Sequence, residues 1–488
     1  MSDLKDKFAP LFQSRSIAII GASSDRTKWG YIMLKHLVDG GFRGAIYPIN
    51  TSGDEILGLK VYRTVADIPE TPDLAVISVP APAVLNVLKE CIAKGTKAGL
   101  VITAGFAELG ETGARMQREM VELARKAGMP LIGPNCNGFM SPWNKEYVQF
   151  PTFLVPAGRV AIIAQSGNVM DSLTRQVMLH GQGCSICVAI GNEAVLHFED
   201  YLEYLGDDPH TSVIMCYIEG FKDGQRFLKI ASEVSKKKPI VIVKGGKTRA
   251  GAIAAASHTA AVAGSDLIFD AACKQAGVIR VRSLDEMLNV SLAFLWQPLP
   301  KGRRLGIVTG GGGWGVMGAD ACAEMGFDVV KLPDETIRAL DTLLPTWWNR
   351  GNPVDLVAGS KPDNIYKAVE QIMQCPSVDA MMFLSMVPML KIRAFDLPTE
   401  ADERAKFGEV LENAVIEAME GLNKLVKKYN KPMVVATEQI FATNIEEARL
   451  PYLLGKHDLA CYHMPHEAAR VLLALADYAR YRGALKPE

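Results

Sequence analysis

Short apolar runs rich in β-branched residues alternate with amphipathic helical patterns along almost the whole chain, and this alternation limits the fold more than any other feature. The first third contains "SIAIIGAS", "GAIYPIN", "LAVISVP", "AGLVITAGF" and "PLIGPN". Between them, "APAVLNVLKECIAKG" and "ARMQREMVELARKAG" repeat apolar residues at helical spacing. Strands that are apolar on both faces must be covered on both faces, which parallel sheets achieve with crossover helices. The expected fold class is α/β with doubly wound parallel sheets. A chain of 488 residues is long enough for three such units. The proline-bearing "FPTFLVPAGR" (Phe150 to Arg159) and "WQPLPKGRR" (Trp296 to Arg304) read as linkers, giving expected domains 1–149, 150–298 and 299–488.

Each linker leads into a similar phrase, "VPAGRVAIIAQSGNVM" and then "LPKGRRLGIVTGGGGWGVM". Both run from proline, glycine and arginine through an apolar strand to a Ser/Gly turn that opens a helix. The second and third domains therefore read as related units, each with a glycine-rich turn at the carboxyl end of its first strand. Open α/β sheets bind ligands at that end. A single such turn is explained by tight strand-to-helix geometry. Two, both cleared of bulky side chains, point to anion binding by backbone N–H groups and the helix dipole.

Composition excludes several classes. The formal net charge is −1 and no basic stripe is present, so binding to nucleic acid or an anionic membrane has no support. The start, "MSDLKDKFAPLF", has no apolar core of a secretory signal, and no run approaches a membrane span. The nine cysteines are scattered, as free thiols in a reducing compartment would be, so a cytoplasmic enzyme is expected. Cys184 and Cys187 form a lone C-x-x-C in a strand-like run, where an offset of three sends side chains to opposite faces. His463 and His466 flank Pro465, which reads as the first turn of the last helix. No metal site is expected from any of these.

The turn in "SIAIIGASSDRTKWGYIMLKHLV" carries Gly21 and Gly30, with Ser23, Ser24, Arg26 and Lys28 between them. It lacks G-x-G-x-x-G, and the next strand ends at Asn50 rather than at an acid that would grip an adenosine ribose, which argues against an NAD-dependent dehydrogenase. A longer turn with two cations suits a ligand with more phosphate charge. "VKGGKTRAG" is not a P-loop, because Val241 stands where glycine is needed. No other ATP site is legible.

The phrases "GASSDRTKWGY", "AIYPIN", "LAVISVP", "TAGFAE", "IGPNCNG", "AQSGNVM", "AIGNEA", "YIEG", "SHTAAVAGSD", "GGGGWGV" and "GNPVD" occur in the order seen in NDP-forming acyl-CoA synthetases. The chain resembles the α subunit of ADP-forming acetyl-CoA synthetase and, more distantly, succinyl-CoA synthetase. The resemblance implies a CoA-binding Rossmann-like domain followed by two flavodoxin-like domains, the first of these two bearing the phosphohistidine loop. It implies a phosphorylated histidine at His258, oriented by Glu219. It implies phosphate held by Ser166 and Gly167 and by Gly311, Gly312 and Gly313. CoA contacts would come from Gly21, Ser23, Lys28, Pro48, Asn50, Pro80, Gly105, Asn135 and Cys136. The family's nucleotide site lies in an ATP-grasp domain, so a separate β subunit binding ADP or ATP with Mg2+ is implied, in a hetero-oligomer. Ala260, Val262, Trp314, Asn137 and the run Asn168-Val169-Met170 depart from the usual family pattern.

The residues around His258 fit this chemistry. From Ala250 to Gly264 nearly every side chain is small, which lowers the steric cost of moving an imidazole between two surfaces. Imidazole as nucleophile divides phosphoryl transfer into two in-line steps. A stand-alone CoA- or acyl-CoA-binding protein is the competing reading; it would be favoured by loss of His258, which is present.

Overall fold

The computed structural model describes residues 2–251, 253, 265–357, 360–385, 401–437 and 450–484. They form two compact units, Met1–Met178 with Gly183–Met287, and Leu179–Gln182 with Leu288–Glu488.

The first unit holds two large sheets. The amino-terminal one is built from β1 (Ser16–Ile20), β2 (Ala45–Ile49), β5 (Leu74–Ile77), β6 (Ala98–Val101) and β7 (Leu131–Ile132), with β3 (Glu55–Ile56) and β4 (Leu59–Lys60) forming a small hairpin beside it. Its order is β2-β1-β5-β6-β7 and every pairing is parallel. Helices α1 (Ser2–Phe12), α2 (Trp29–Asp39), α3 (Ala81–Lys94) and α4 (Glu111–Lys126) accompany it. Helix α3 shows how local sequence and packing agree. Pro82 sits in its first turn, and Val84, Leu88 and Cys91 fall on one buried face. Gly95 then ends it in the left-handed region at φ 82°, with its N–H on the carbonyls of Cys91 and Ile92. Burying each of the two aliphatic side chains stabilises the unit by about 1.5–3 kcal/mol.

The second sheet contains β10 (Ala157–Ala164), β11 (Cys184–Ala189), β12 (Val213–Ile218), β13 (Ile240–Lys244) and β14 (Ile279–Arg280). Two further strands, β8 (Gly138–Ser141) and β9 (Glu146–Gln149), form an antiparallel pair, and β8 joins them antiparallel to β11, giving the order β14-β13-β12-β10-β11-β8-β9. Residues 138–149 thus pair with the second sheet, although the proline-rich stretch after them reads as the linker. Helices α5 (Gly167–Leu179), α6 (Phe198–Asp207), α7 (Gly224–Ser235) and α8 (Asp266–Ala276) belong to this part of the chain, and α9 (Leu284–Trp296) begins in it and continues in the second unit from Leu288. The amino-terminal helix packs on this part as well. Phe8 stacks on Tyr204 at 4.7 Å between ring centroids, and Phe12 meets Phe139 edge-on at 5.2 Å. Cys184 and Cys187 are buried free thiols on β11.

The second unit repeats the plan with β15 (Arg304–Thr309), β16 (Asp328–Val329), β17 (Val354–Asp355), β18 (Ala380–Leu384) and β19 (Met433–Ala436) in the order β16-β15-β18-β19. The short β16 and β17 share one edge of β15, the first at its start and the second at its end. Helices α10 (Gly312–Glu324), α11 (Asp334–Asp341), α12 (Pro362–Gln374), α13 (Ala401–Tyr429), α14 (Leu450–Lys456) and α15 (Pro465–Tyr481) complete the unit. Pro465 opens the last helix, as its place between two histidines suggests. Among the described residues no helix is long and apolar enough to cross a membrane.

In each sheet the next strand in sequence lies on one side of the first parallel strand and a later one on the other: β2 and β5 flank β1, β11 and β12 flank β10, and β16 with β17 on one edge and β18 on the other flank β15. Each sheet therefore has a switch point at the carboxyl end of its first strand, where loops diverge and leave a crevice.

Candidate functional site

At the switch point of the first sheet the chain leaves β1 through Gly21, whose φ of 94° is open to glycine and strained for other residues. A Cβ there would overlap the carbonyl of Ser78, so glycine is also required by the close approach of the segment after β5. The N–H groups of Gly21 and Ala22 donate to the Ile49 carbonyl at 3.0 and 3.2 Å. Asn50 returns the contact by donating its amide to the Ala22 carbonyl, while its Oδ1 accepts from the N–H and hydroxyl of Ser52 at 2.9 and 3.1 Å. The Ser23 hydroxyl accepts from the N–H of Asp25 at 3.1 Å. The Thr27 N–H, and then its hydroxyl, hold the Asp25 carboxyl below its usual range. Lys28 immediately precedes α2, and Pro48 is buried in β2 opposite Ile19.

Further along the same edge, Pro80 precedes α3, and Gly105 and Asn135 follow β6 and β7. The expected CoA residues thus gather at the carboxyl edge of one sheet. Cys136 differs in orientation. It is buried, its thiol points at the Val101 carbonyl at 3.5 Å, and burial pushes its pKa up to about 12.

Polar side chains join this edge to the second sheet. Asn135 donates its amide to Asn192 Oδ1 at 3.2 Å, and Asn192 donates to Glu108 Oε2 at 2.6 Å and Gln117 Oε1 at 3.0 Å. Glu108 accepts from the N–H groups of Gly105 and Phe106 at 2.6 and 3.1 Å. Lys222 then binds the carbonyls of Asn192 and Glu193, both at 2.6 Å. Burial raises the Glu193 carboxyl and lowers the Lys222 ammonium, and the charge of each opposes the shift of the other.

At the second switch point, Ser166 and Gly167 lie between β10 and the body of α5. A Cβ on Gly167 would collide with the side-chain amide of Asn137, one of the positions that depart from the family pattern. Asn137 in turn donates to Asp171 Oδ2 at 3.0 Å. Glu219 directly follows β12 and is buried, with the Tyr217 hydroxyl donating to its Oε1 at 3.5 Å. Its backbone N–H donates to the side chain of Gln165, the residue before Ser166. The structure therefore brings Glu219, Ser166 and Gly167 to one edge.

The third sheet presents its turn differently. Gly310 N–H donates to the Leu384 carbonyl at 2.7 Å, and Thr309 bonds Gly311 through both donor and acceptor. Gly311 is the cap of α10, and Gly312 and Gly313 lie in its first turn. Among the described residues nothing lies within 4 Å of a Cβ placed on Gly311 or Gly313, and Gly312 meets only Asp355 at 3.1 Å. Asn352 of "GNPVD" stitches the strand edge, accepting from Ile307 N–H at 2.9 Å and donating to the Leu305 and Val330 carbonyls at 2.8 and 2.9 Å.

His258 lies outside the described residues, together with most of its small-residue stretch. Lys244 is buried and donates to the Gly245 carbonyl at 3.2 Å, and Asp266 pairs with Arg280 at 2.6 Å. Sequence reasoning missed Gln165, Glu108, Asn192, Glu193 and Lys222 as site residues. The signal was present for three of them, since Gln165 stands in "AQSGNVM" and Asn192 and Glu193 in "AIGNEA".

Three family models match, in chain order: a CoA binding domain over residues 15–142, a succinyl-CoA ligase like flavodoxin domain over 157–294 and a ligase-CoA domain over 305–393. The chain is 38% identical over 475 residues to the acetate–CoA ligase [ADP-forming] II subunit alpha of Pyrococcus furiosus, covering 97% of this chain and 98% of the relative. It is 42% identical over 349 residues to the acetate–CoA ligase [ADP-forming] of Methanocaldococcus jannaschii, covering 72% of this chain but 49% of that longer protein. A structure of dinucleotide forming acetyl-coenzyme A synthetase 1 from Ca. Korarchaeum cryptofilum, in complex with phosphate and ADP, superposes with a TM-score of 0.85 at 34% identity over 98% of both chains. Full-length identity, the three matched domains in order and the shared fold lead to one assignment: the chain belongs to the NDP-forming acyl-CoA synthetase superfamily, in the family of the α subunits of ADP-forming acetate–CoA ligases.

Proposed function

We propose that this chain is the α-type subunit of an ADP-forming acyl-CoA synthetase, interconverting acyl-CoA, phosphate and ADP with carboxylic acid, CoA and ATP. The observation that carries the reading is the meeting of Ser166, Gly167 and Glu219 at one switch point, in a chain whose full-length relatives bear the name of such subunits. A phosphate oxygen attacks the thioester carbonyl, the C–S bond breaks, and CoA leaves as the thiolate to give an acyl phosphate. The His258 imidazole then attacks phosphorus, the bond to the acyl oxygen breaks, and the carboxylate departs. Phosphohistidine finally passes its phosphoryl group to ADP, which becomes ATP.

Each side chain has a physical task in this sequence. The residues at the carboxyl edge of the first sheet would hold CoA, with Lys28 near its phosphates. The N-terminus of α5 beside Ser166 and Gly167, and that of α10 at Gly311 to Gly313, would each offset phosphate charge by about 0.3–2 kcal/mol. Glu219 would hold the imidazole in the tautomer that leaves the attacking nitrogen unprotonated.

ADP or ATP with Mg2+ would bind to a separate ATP-grasp β subunit, so the working enzyme is a hetero-oligomer. Two facts support this. The chain has no P-loop, and two full-length relatives are named as subunits whereas the Methanocaldococcus jannaschii relative, named without that word, is about twice the matched length. The purified chain alone should form no ATP from acyl-CoA, phosphate and ADP, and addition of the ATP-grasp subunit should restore it. Robust ATP formation by the chain alone, checked by mass for contaminating subunit, would contradict the two-subunit arrangement. Calorimetry should show binding of CoA in preference to NAD; the reverse would remove the CoA assignment.

A further inference from the structure

Gln165 is buried at the end of β10, and its amide is fully used. Its Oε1 accepts from the backbone N–H of Glu219 and, at 3.4 Å, from that of Gly220. Its Nε2 donates to the Gly220 carbonyl at 2.9 Å and to Glu193 Oε1. An amide offers two acceptor sites and two donors, and here all four meet complementary partners, which also fixes which way the group faces. Other residue types cannot reproduce the set. Glutamate has no donor for Gly220 and Glu193, leucine has neither donor nor acceptor, and asparagine is one methylene too short.

The placement matters as much as the count. Gln165 immediately precedes Ser166 and Gly167, and its side chain reaches across to the segment that carries Glu219. Glu193 is anchored independently, since its Oε2 accepts from the Phe198 N–H at 2.8 Å and Lys222 holds its carbonyl. The same Lys222 holds Asn192, whose amide reaches Glu108 and whose Oδ1 accepts from Asn135. Three strand ends and the edge expected to bind CoA thus share one hydrogen-bonded frame, with Gln165 as its contact to Glu219.

We infer that Gln165 is a positioning residue for phosphoryl transfer, fixing the backbone of Glu219 and Gly220 against the Ser166–Gly167 turn. This rests on the phosphohistidine reading above. The amide contacts of Gln165 go to Glu219, Gly220 and Glu193, so its action on the chemistry is exerted through Glu219. It sets the register of the carboxylate that orients the imidazole, so its loss should slow transfer to His258 and leave CoA affinity nearly unchanged.

The test compares the full wild-type chain with Q165L, Q165E and the double variant Q165E/E193Q. Labelled acetyl phosphate serves as phosphoryl donor, and amide hydrogen exchange is followed at Glu219 and Gly220. In Q165E two buried carboxylates meet, and the rate of labelling should fall at least about thirtyfold while the Kd for CoA changes by less than about threefold. The double variant restores a carboxylate–amide pair with reversed polarity. The amide at position 193 can then donate to the carboxylate at position 165 and still accept from the Phe198 N–H. It should recover at least about tenfold of the lost rate. Exchange at Glu219 and Gly220 should quicken at least about tenfold in Q165L, which removes the oxygen that accepts from both amides. Labelling at the wild-type rate in Q165E, or unchanged exchange at both amides in Q165L, would overturn the positioning role. Absence of label in the wild-type chain would overturn the functional reading instead, and exchange would still decide the positioning role.

Discussion

The turn after β10 and the turn after β15 stand at equivalent places in the same strand order, yet their glycines face different neighbours. Gly167 is walled in by the Asn137 amide, which occupies the space a Cβ would need. Gly311 and Gly313 have no described atom within 4 Å of where a Cβ would stand. At the first turn small size is required by the protein's own packing, and at the second no described side chain requires it of Gly311 or Gly313. Two glycine-rich turns that look alike in sequence are therefore small for different reasons. One is closed by the Asn137 side chain, and the other is open among the described residues.

Substitution should separate the two cases. Gly167→Ala forces a methyl group into Asn137 and should destabilise the first unit by about 1–3 kcal/mol, measured as a lower Tm or denaturant midpoint. Adding Asn137→Ala should return part of that loss, because the three atoms nearest the new methyl group all belong to that side chain, while its hydrogen bond to Asp171 is given up. Failure of the second change to help would mean that Gly167 is required for another reason.

A smaller effect is expected from pH. Burial raises the Asp171 carboxyl of α5 to about 6, against the opposing Asn137 hydrogen bond and Arg175 charge. Its Oδ1 has no hydrogen-bond partner among the described residues. A carboxyl whose folded pKa lies above its unfolded value binds more protons when folded. Its contribution is therefore full below about pH 4 and is lost as pH rises through about 6. Allowing for solvent at its partly open face, the loss is about 1–2 kcal/mol. Asp171→Asn should flatten wild-type stability over that window; an unchanged slope would show that Asp171 titrates normally.

The smallest stability change belongs to the open turn. Gly313→Ala meets no described atom and adds a better helix former, so stability should stay within about 1 kcal/mol of wild type or rise. Phosphate-dependent turnover should nevertheless fall about tenfold, because the methyl group stands where phosphate would approach the helix. A variant equal to wild type in both respects would remove the open turn from the phosphate site.

Much of this was legible in the sequence, for reasons the structure makes plain. Buried strands such as "SIAII" and "LAVI" are buried at every position, and the helix "APAVLNVLKECIAK" carries its own start, face and stop. The turns were legible because glycine and serine clear the carboxyl ends of strands. The antiparallel pair β8 and β9 was not, because the pairing of β8 with β11 is made nearly fifty residues away and leaves no local period. The frame around Gln165 was hidden for the same reason. Its members come from separate loops, and although Gln165, Asn192 and Glu193 stand in the phrases "AQSGNVM" and "AIGNEA", nothing local shows that they meet. His258 was singled out by its surroundings in sequence, and it lies outside the described residues.

Phosphorylation of His258 is open to direct measurement. The purified full chain, incubated with labelled acetyl phosphate or with labelled ATP and an ATP-grasp subunit, should acquire an acid-labile, base-stable phosphoryl group. Peptide mass spectrometry should locate it within "SHTAAVAGSD", and His258→Ala should abolish it. Label retained at the wild-type level in His258→Ala would contradict the account.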